Sequence, residues 1–213
     1  MWWAPGAVAW WIGVLFMIGS ACFAAGSMPG YVGLVGATVV GWTFFVGSIF
    51  FTSAGLLQYL EAVNAARSAT GDTHAGGFRV LTWEPARIDW WASLVQLVGT
   101  VFFNLSTFHA LQTTLTASEA NELIWRPDAL GSVCFLVASG LAWAEAGHAW
   151  VSWQPRSTTW WIGALNLLGS IAFGLSAVAA RIVPDTGDPR NLTVDNLGTF
   201  VGAVCFLVGA LLL

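Results

Sequence analysis

Charge is what this sequence has least of. Of its 213 residues 8% are charged, against about a quarter in soluble domains. Lysine is absent, so all seven cationic residues are arginine. With 57% of residues hydrophobic, such a chain cannot hide its apolar surface in one small aqueous core, and it needs lipid as solvent. The net charge of −4 is small and dispersed, which excludes nucleic acid as a partner. No basic leader precedes the first apolar run and the cations begin only at Arg67, so no cleavable signal peptide is expected. Cysteine is scarce too: Cys22, Cys134 and Cys205 all lie in apolar stretches. A disulfide framework needs paired cysteines in an extracellular setting, so these read as small core residues. No Ser-His-Asp order, Walker loop, dinucleotide glycine pattern or haem-attachment motif occurs, so no enzyme class and no cofactor is indicated.

What the sequence does have is long apolar runs. Six are visible, at about Val8–Ser27, Val35–Leu60, Asp89–Leu111, Ala129–Trp150, Trp160–Ala180 and Leu197–Leu213. About 20 residues of helix span the hydrocarbon of a bilayer. The expected fold is therefore all-α, an integral membrane protein with six transmembrane helices. The cytoplasmic (inner) membrane is the expected location.

A motif recurs three times: W-x-P-x4-W-W-x7-G-(S/T)-x2-F. It runs from Trp3, Trp10 and Trp11 to Phe23, from Trp83, Trp90 and Trp91 to Phe103, and from Trp153, Trp160 and Trp161 to Phe173. The even-numbered spans carry their own matching landmarks, Gly47-Ser48, Gly131-Ser132 and Gly202-Ala203, each followed by Phe51, Phe135 or Phe206. Self-similarity at this scale sets the architecture. It predicts three parallel-repeated helical hairpins over residues 1–66, 83–151 and 152–213, with 67–82 as a loop. Polar or Pro/Gly stretches at 27–30, 118–127 and 184–189 read as bends, and Ala62–Ile88 as a flexible surface connection.

Two spans return the chain to its starting side, so every motif copy faces the same way. Arg67, Arg79, Arg87 and Arg156 lie on the side of the termini, and Arg126, Arg181 and Arg190 on the other, which favours cytoplasmic termini by the positive-inside rule. Tryptophan is more lopsided. Twelve of fourteen, including Trp2, Trp143 and Trp150, fall on the terminal side, leaving Trp42 and Trp125 near the other. Indoles favour the headgroup zone, so the motif reads as an interfacial anchor, with an aromatic binding surface as the alternative.

Candidate functional residues are the polar ones inside the spans. Ser20, Thr100 and Ser170 belong to small-residue pairs that let helices approach closely, as does Gly198-x-x-x-Gly202. Alternatively the three hydroxyls ring an axis and line a polar path. Gln96 and Asn166 occupy the place held by Phe16 in the first copy, and Asn104 lies two turns deeper. An amide in hydrocarbon must find a partner, since each unmet group costs about 1–3 kcal/mol. Mutual hydrogen bonding and a ligand pocket are the two ways to provide one. Glu145 and His148 have a spacing used in bundle metal sites, but Glu61 and Asn64 stand at the matching place in the first copy and the third has neither. Glu61 and Glu145 also fall where their helices leave the bilayer, so they read as interfacial carboxylates rather than metal ligands. His74 and His109 have no neighbours at metal spacing.

Two helices bearing Phe16-Met-Ile-Gly19-Ser20-x-x-Phe23 and Trp42-Thr-Phe-Phe-Val-Gly47-Ser48-x-x-Phe51 resemble the YrhK-like domain, a small bacterial membrane module. The chain is also similar to uncharacterised, actinobacterial-type multi-pass membrane proteins with Trp-Trp and Arg126–Gly131 landmarks. The resemblance implies a fold and a membrane location and carries no activity.

The leading expectation is a non-catalytic protein that packs with itself, as a homo-oligomer, or serves as a subunit of a membrane complex. A pathway or binding site for a small solute, ion or lipid-like ligand between the second and third hairpins is the second reading. A metal-dependent membrane enzyme is the third. The repeat itself predicts that the Cα traces of 10–61, 90–145 and 160–213 superpose over their helices in an experimental density map, and helices that cross at different angles would refute it.

Overall fold

The computed structural model describes residues 3–70, 78–147 and 153–213. The chain is helical: α1 (Val8–Ser27), α2 (Tyr31–Val35), α3 (Ala37–Thr70), α4 (Ile88–His109), α5 (Ala117–Ala120), a π-helical turn at Asn121–Trp125, α6 (Arg126–Gly147), α7 (Thr158–Ala180) and α8 (Leu192–Leu211). Because α5, the π turn and α6 run on without a break, six stretches are long and apolar enough to cross a membrane. Trp2, His74, His148, Trp150 and the loop glycines Gly71, Gly76 and Gly77 lie outside the described residues.

Each long helix packs against the next, α1 on α3, α3 on α4, α4 on α6, α6 on α7 and α7 on α8, and α8 returns to α1. The six spans thus close a ring. Lipid removes the hydrophobic drive between helices, so contact depends on small residues and close packing. The repeated glycines supply it. A Cβ on Gly47 would sit 2.8 Å from the Cys22 Cβ, one on Gly99 2.8 Å from the Cys134 Cβ, and one on Gly169 3.0 Å from the Gly202 carbonyl oxygen.

That closeness brings six phenylalanines together on the ring's axis. Phe23, Phe103 and Phe173 touch one another with ring centroids 5.9–6.4 Å apart. Phe51, Phe135 and Phe206 form a second triangle at 5.6–6.2 Å. The triangles stack, each ring meeting its partner at 5.1–5.4 Å. All nine separations fall in the favoured range for aromatic pairs. The sequence landmark G-(S/T)-x-x-F is therefore the two halves of one packing device: the glycine admits a neighbouring helix and the phenyl fills the centre.

Two sequence expectations are corrected. First, α3 does not end near Leu60 but continues to Thr70. Tyr59 and Val63 pack with Trp90 in a second small core, which rewards the extra turns. The Asn64 side chain then holds the returning stretch of chain, donating to the Arg79 carbonyl at 3.0 Å and accepting from its N–H at 3.1 Å. Arg87 reaches back to the Ala62 carbonyl at 3.0 Å and is bracketed by Asp89 and Glu84, which hold its guanidinium above its usual pKa. Second, residues 118–127 are helix rather than a bend. Thr116 and Glu119 form a reciprocal capping box, the two-way exchange of side chain and backbone bonds that starts a helix. Pro127 is tolerated because the π turn just before it has already loosened the ladder.

Gly198 and Gly140 test the packing argument. A Cβ on Gly198 would meet the Ala172 carbonyl oxygen at 2.8 Å and Ser176 Cβ at 2.9 Å, both fixed by backbone, whereas nothing lies within 4 Å of one on Gly140. Gly198→Ala is expected to lose about 1–3 kcal/mol in unfolding from detergent micelles. Gly140→Ala should be neutral or gain up to about 1 kcal/mol.

Candidate functional site

The tryptophan motif closes on itself. Trp11, Trp91 and Trp161 each donate the indole N–H to the carbonyl of the motif proline, Pro5, Pro85 and Pro155, at 3.0, 3.1 and 3.0 Å. A backbone bond beside it, Ala7 to Ala4, Arg87 to Glu84 and Ser157 to Gln154, completes the same turn three times. Trp3, Trp83 and Trp153 stack edge-on against Trp10, Trp90 and Trp160 at 5.2–5.3 Å. Trp90 and Trp160 are buried, while the first and last indoles of each motif are exposed. The spacing W-x-P-x4-W-W is thus that of a turn closed by its last indole, while the buried Trp90 N–H has no partner among the described residues.

The three hydroxyls at mid-depth are used differently. Ser20, Thr100 and Ser170 are all fully buried. Ser170 meets Ser139 of α6 at 2.6 Å, and Thr100 bonds the Leu97 carbonyl of its own helix at 2.7 Å. Ser20 has no partner among the described residues. None of the three lines the polar cavities described below. Asn104 donates to Thr52 of α3 at 2.7 Å, a bond between helices, while its carbonyl oxygen is left unbonded.

The other amides are placed differently. On the tryptophan-rich side of the phenylalanine stack, a cavity of about 150 Å³ is lined by Phe16, Gln96 and Asn166, one from each copy of the repeat. Gln58 and Glu61 of α3 join them, and Phe206 belongs to its floor. Neither Gln96 nor Asn166 makes a hydrogen bond among the described residues. The cavity is therefore bounded by five helices around the axis, α1, α3, α4, α7 and α8, rather than lying between the second and third hairpins alone.

On the far side of the stack the axis opens again. A chamber of about 20 Å³ lies directly against Phe23, Phe103 and Phe173 and is lined by Asp128, Ser132, Ser176 and Thr199. It adjoins a larger space of about 280 Å³ that shares Phe23, Asp128, Ser176 and Thr199 and adds Asp195 and Asn196. Sequence reasoning missed these carboxylates. Asp128 fell between the expected bend at 118–127 and the apolar run that starts at Ala129, and Asp195 fell just before the last apolar run. The available signal was spacing: Asp128, Gly131, Ser132 and Phe135 share one helical face.

Glu145 is exposed in the last turn of α6, and its sequence partner His148 is outside the described residues. His109 closes α4, within 3.2 Å of the Gln112 amide. No group of three or more His, Cys, Asp or Glu side chains suited to a metal forms among the described residues. Comparison of the chain with protein-family models, curated proteins and solved structures finds no match.

Asn104 serves as the structural contrast to the cavity amides. Interhelical hydrogen bonds in membranes average about 0.6 kcal/mol, and Asn104 carries an unmet acceptor besides. Asn104→Leu is therefore expected to shift unfolding free energy in detergent by less than about 1 kcal/mol, and a loss of several kcal/mol would show that its environment is misread.

Proposed function

We propose that this chain is a membrane-embedded binding protein that takes a small, positively charged polar solute into the axial cavity on its tryptophan-rich face. The observation that supports the reading is the pair of unbonded amides, Gln96 and Asn166, converging on one cavity beside Gln58 and Glu61. Amides left without partners in hydrocarbon are costly, and a ligand with N–H donors relieves that cost. The carboxylate of Glu61 sets the preferred sign, and the amide oxygens offer acceptors to an ammonium group. The apolar remainder of the wall, Ile12, Phe16 and Ile162 among it, suits a short hydrocarbon tail. A cavity of about this volume accepts a ring of roughly six heavy atoms, so the solute is a small amine rather than a lipid.

The phenylalanine stack favours binding over free conduction, because the axis is filled where the two triangles meet. A protein that only packs with partners would use the glycines and the anchors but would leave these four polar side chains without a role. In the proposed arrangement the protein sits in the cytoplasmic membrane with both termini, and the cavity mouth, toward the cytoplasm.

Thermal unfolding of the detergent-purified protein in the presence of methylammonium, with acetate as the anionic control, tests the reading. Methylammonium is expected to raise the midpoint with the logarithm of its concentration above Kd, reaching about 2.7 kcal/mol of stabilisation at a hundredfold excess, with acetate inert. The double variant Glu61→Gln, Asn166→Leu should abolish the response. Equal midpoints with and without methylammonium in the native protein would reject the proposal.

A further inference from the structure

We propose that the small chamber beneath Phe23, Phe103 and Phe173 is a binding site for one sodium ion, with the Asp128 carboxylate as its charged ligand and Ser132, Ser176 and Thr199 as neutral oxygen ligands. The site is separate from the tryptophan-side cavity and does not depend on how that cavity is used.

Asp128 carries the argument. It lies within a membrane span, two turns from Phe135 on the axial face, and is half-buried. It lines both spaces on the far side of the stack. It has no hydrogen bond and no cationic partner among the described residues. A charge so placed is rare and costly, and marks an ion or proton path when it occurs. Arg126, two residues away, is turned outward to Glu122 at 3.3 Å and does not neutralise it.

The hydroxyls around the chamber are oriented for a cation. Ser132 directs its proton to the Phe173 carbonyl oxygen, 3.4 Å away. Ser176 donates to Asp195, 2.7 Å to the carboxylate oxygen and 2.9 Å to the backbone carbonyl, and lies 2.7 Å from Thr199. With Ser132 and Ser176 committed elsewhere as donors, their oxygens keep lone pairs free toward the chamber. A neutral carboxylic acid at Asp128 would instead donate to one of these neighbours, and no such bond is present among the described residues. Hard cations take oxygen ligands of this kind. The one carboxylate that lines the chamber balances one positive charge, and about 20 Å³ is room for a single atom-sized occupant, since one water needs about 10–15 Å³. The phenyl triangle seals the chamber from the tryptophan side, so the ion arrives through the larger space that holds Asp195. Asp195 is a positioning residue: by accepting the Ser176 proton it keeps that hydroxyl's lone pair on the chamber side.

The test is binding of radiosodium to the full-length protein in detergent, read alongside thermal unfolding in sodium, potassium and choline chlorides at equal ionic strength. Saturable binding of one sodium per chain, with a midpoint raised by sodium above potassium and choline, is expected. Asp128→Asn, nearly the same shape, should weaken sodium binding by more than about tenfold, since ligand charge sets affinity at oxygen sites. Asp195→Asn should cause a smaller loss and reduce discrimination against potassium. If Asp128→Asn fails to fold, the radiosodium measurement on the native protein still decides. No saturable sodium binding, or a midpoint that varies with pH but is the same in all three salts, would overturn the proposal and leave Asp128 as a protonated side chain.

Discussion

The constraint on which the molecule depends is that six phenyl rings must meet on one line, and six helices must come close enough to let them. Neither half works alone. Without glycine at 19, 47, 99, 131, 169 and 202 the helices stand apart by the width of a side chain, and the rings lose the edge-on and tilted contacts they make at 5.1–5.4 Å. Without the rings, close helices would surround a void, whose lining forfeits its dispersion contacts. In lipid the usual penalty for exposing apolar surface is missing, so shape fit of this kind has to carry the assembly. The stack also divides the interior. Everything polar on the axis lies either on the tryptophan side or on the far side of it, and the two sides have different chemistry: amides with one carboxylate at the first, carboxylates and hydroxyls at the second.

The tryptophan motif acts at the rim of this arrangement. The three bonds from Trp11, Trp91 and Trp161 to the motif prolines give each of α1, α4 and α7 a defined first turn. These odd-numbered spans carry Phe16, Gln96 and Asn166 one or two turns further in. Fixing where each helix begins fixes the depth at which those three side chains reach the axis. The motif turn and the cavity geometry are thus linked through the helix backbone rather than by contact.

The six spans were legible in the sequence because lipid-spanning length is a one-dimensional property. The ends of α1 coincide with the apolar run Val8–Ser27, and Phe16, Gln96 and Asn166, which align in the sequence motif, line one cavity. What could not be read was which face of each span looks inward. A helix in lipid is apolar all round, so periodicity that would mark the core side of a soluble helix is nearly absent. Phe51 and Trp42 look alike on paper, yet one is 2% exposed and the other 52%. Asp128 and Asp195 were missed for a related reason. Charge near the end of an apolar run suggests water, and only the neighbouring helices show that both line the space beyond the phenylalanine stack. The extra turns of α3 depended on Tyr59 and Val63 meeting Trp90, a tertiary contact no local signal announces.

The π turn at Asn121–Trp125 has its own implication. One residue more than the α-helical repeat rotates the preceding α5 segment by about 100° relative to α6. Asn121 can therefore bond both backbone atoms of Ile182, at 2.8 and 2.9 Å, and Trp125 can reach the Ala177 carbonyl at 2.8 Å, while Asp128 and Phe135 stay aimed at the axis. The span behaves as two helices out of phase, joined end to end. Its outer part reads the neighbouring helix and its inner part reads the centre, so deleting a single residue between 121 and 125 would restore a straight helix and set those two allegiances against each other.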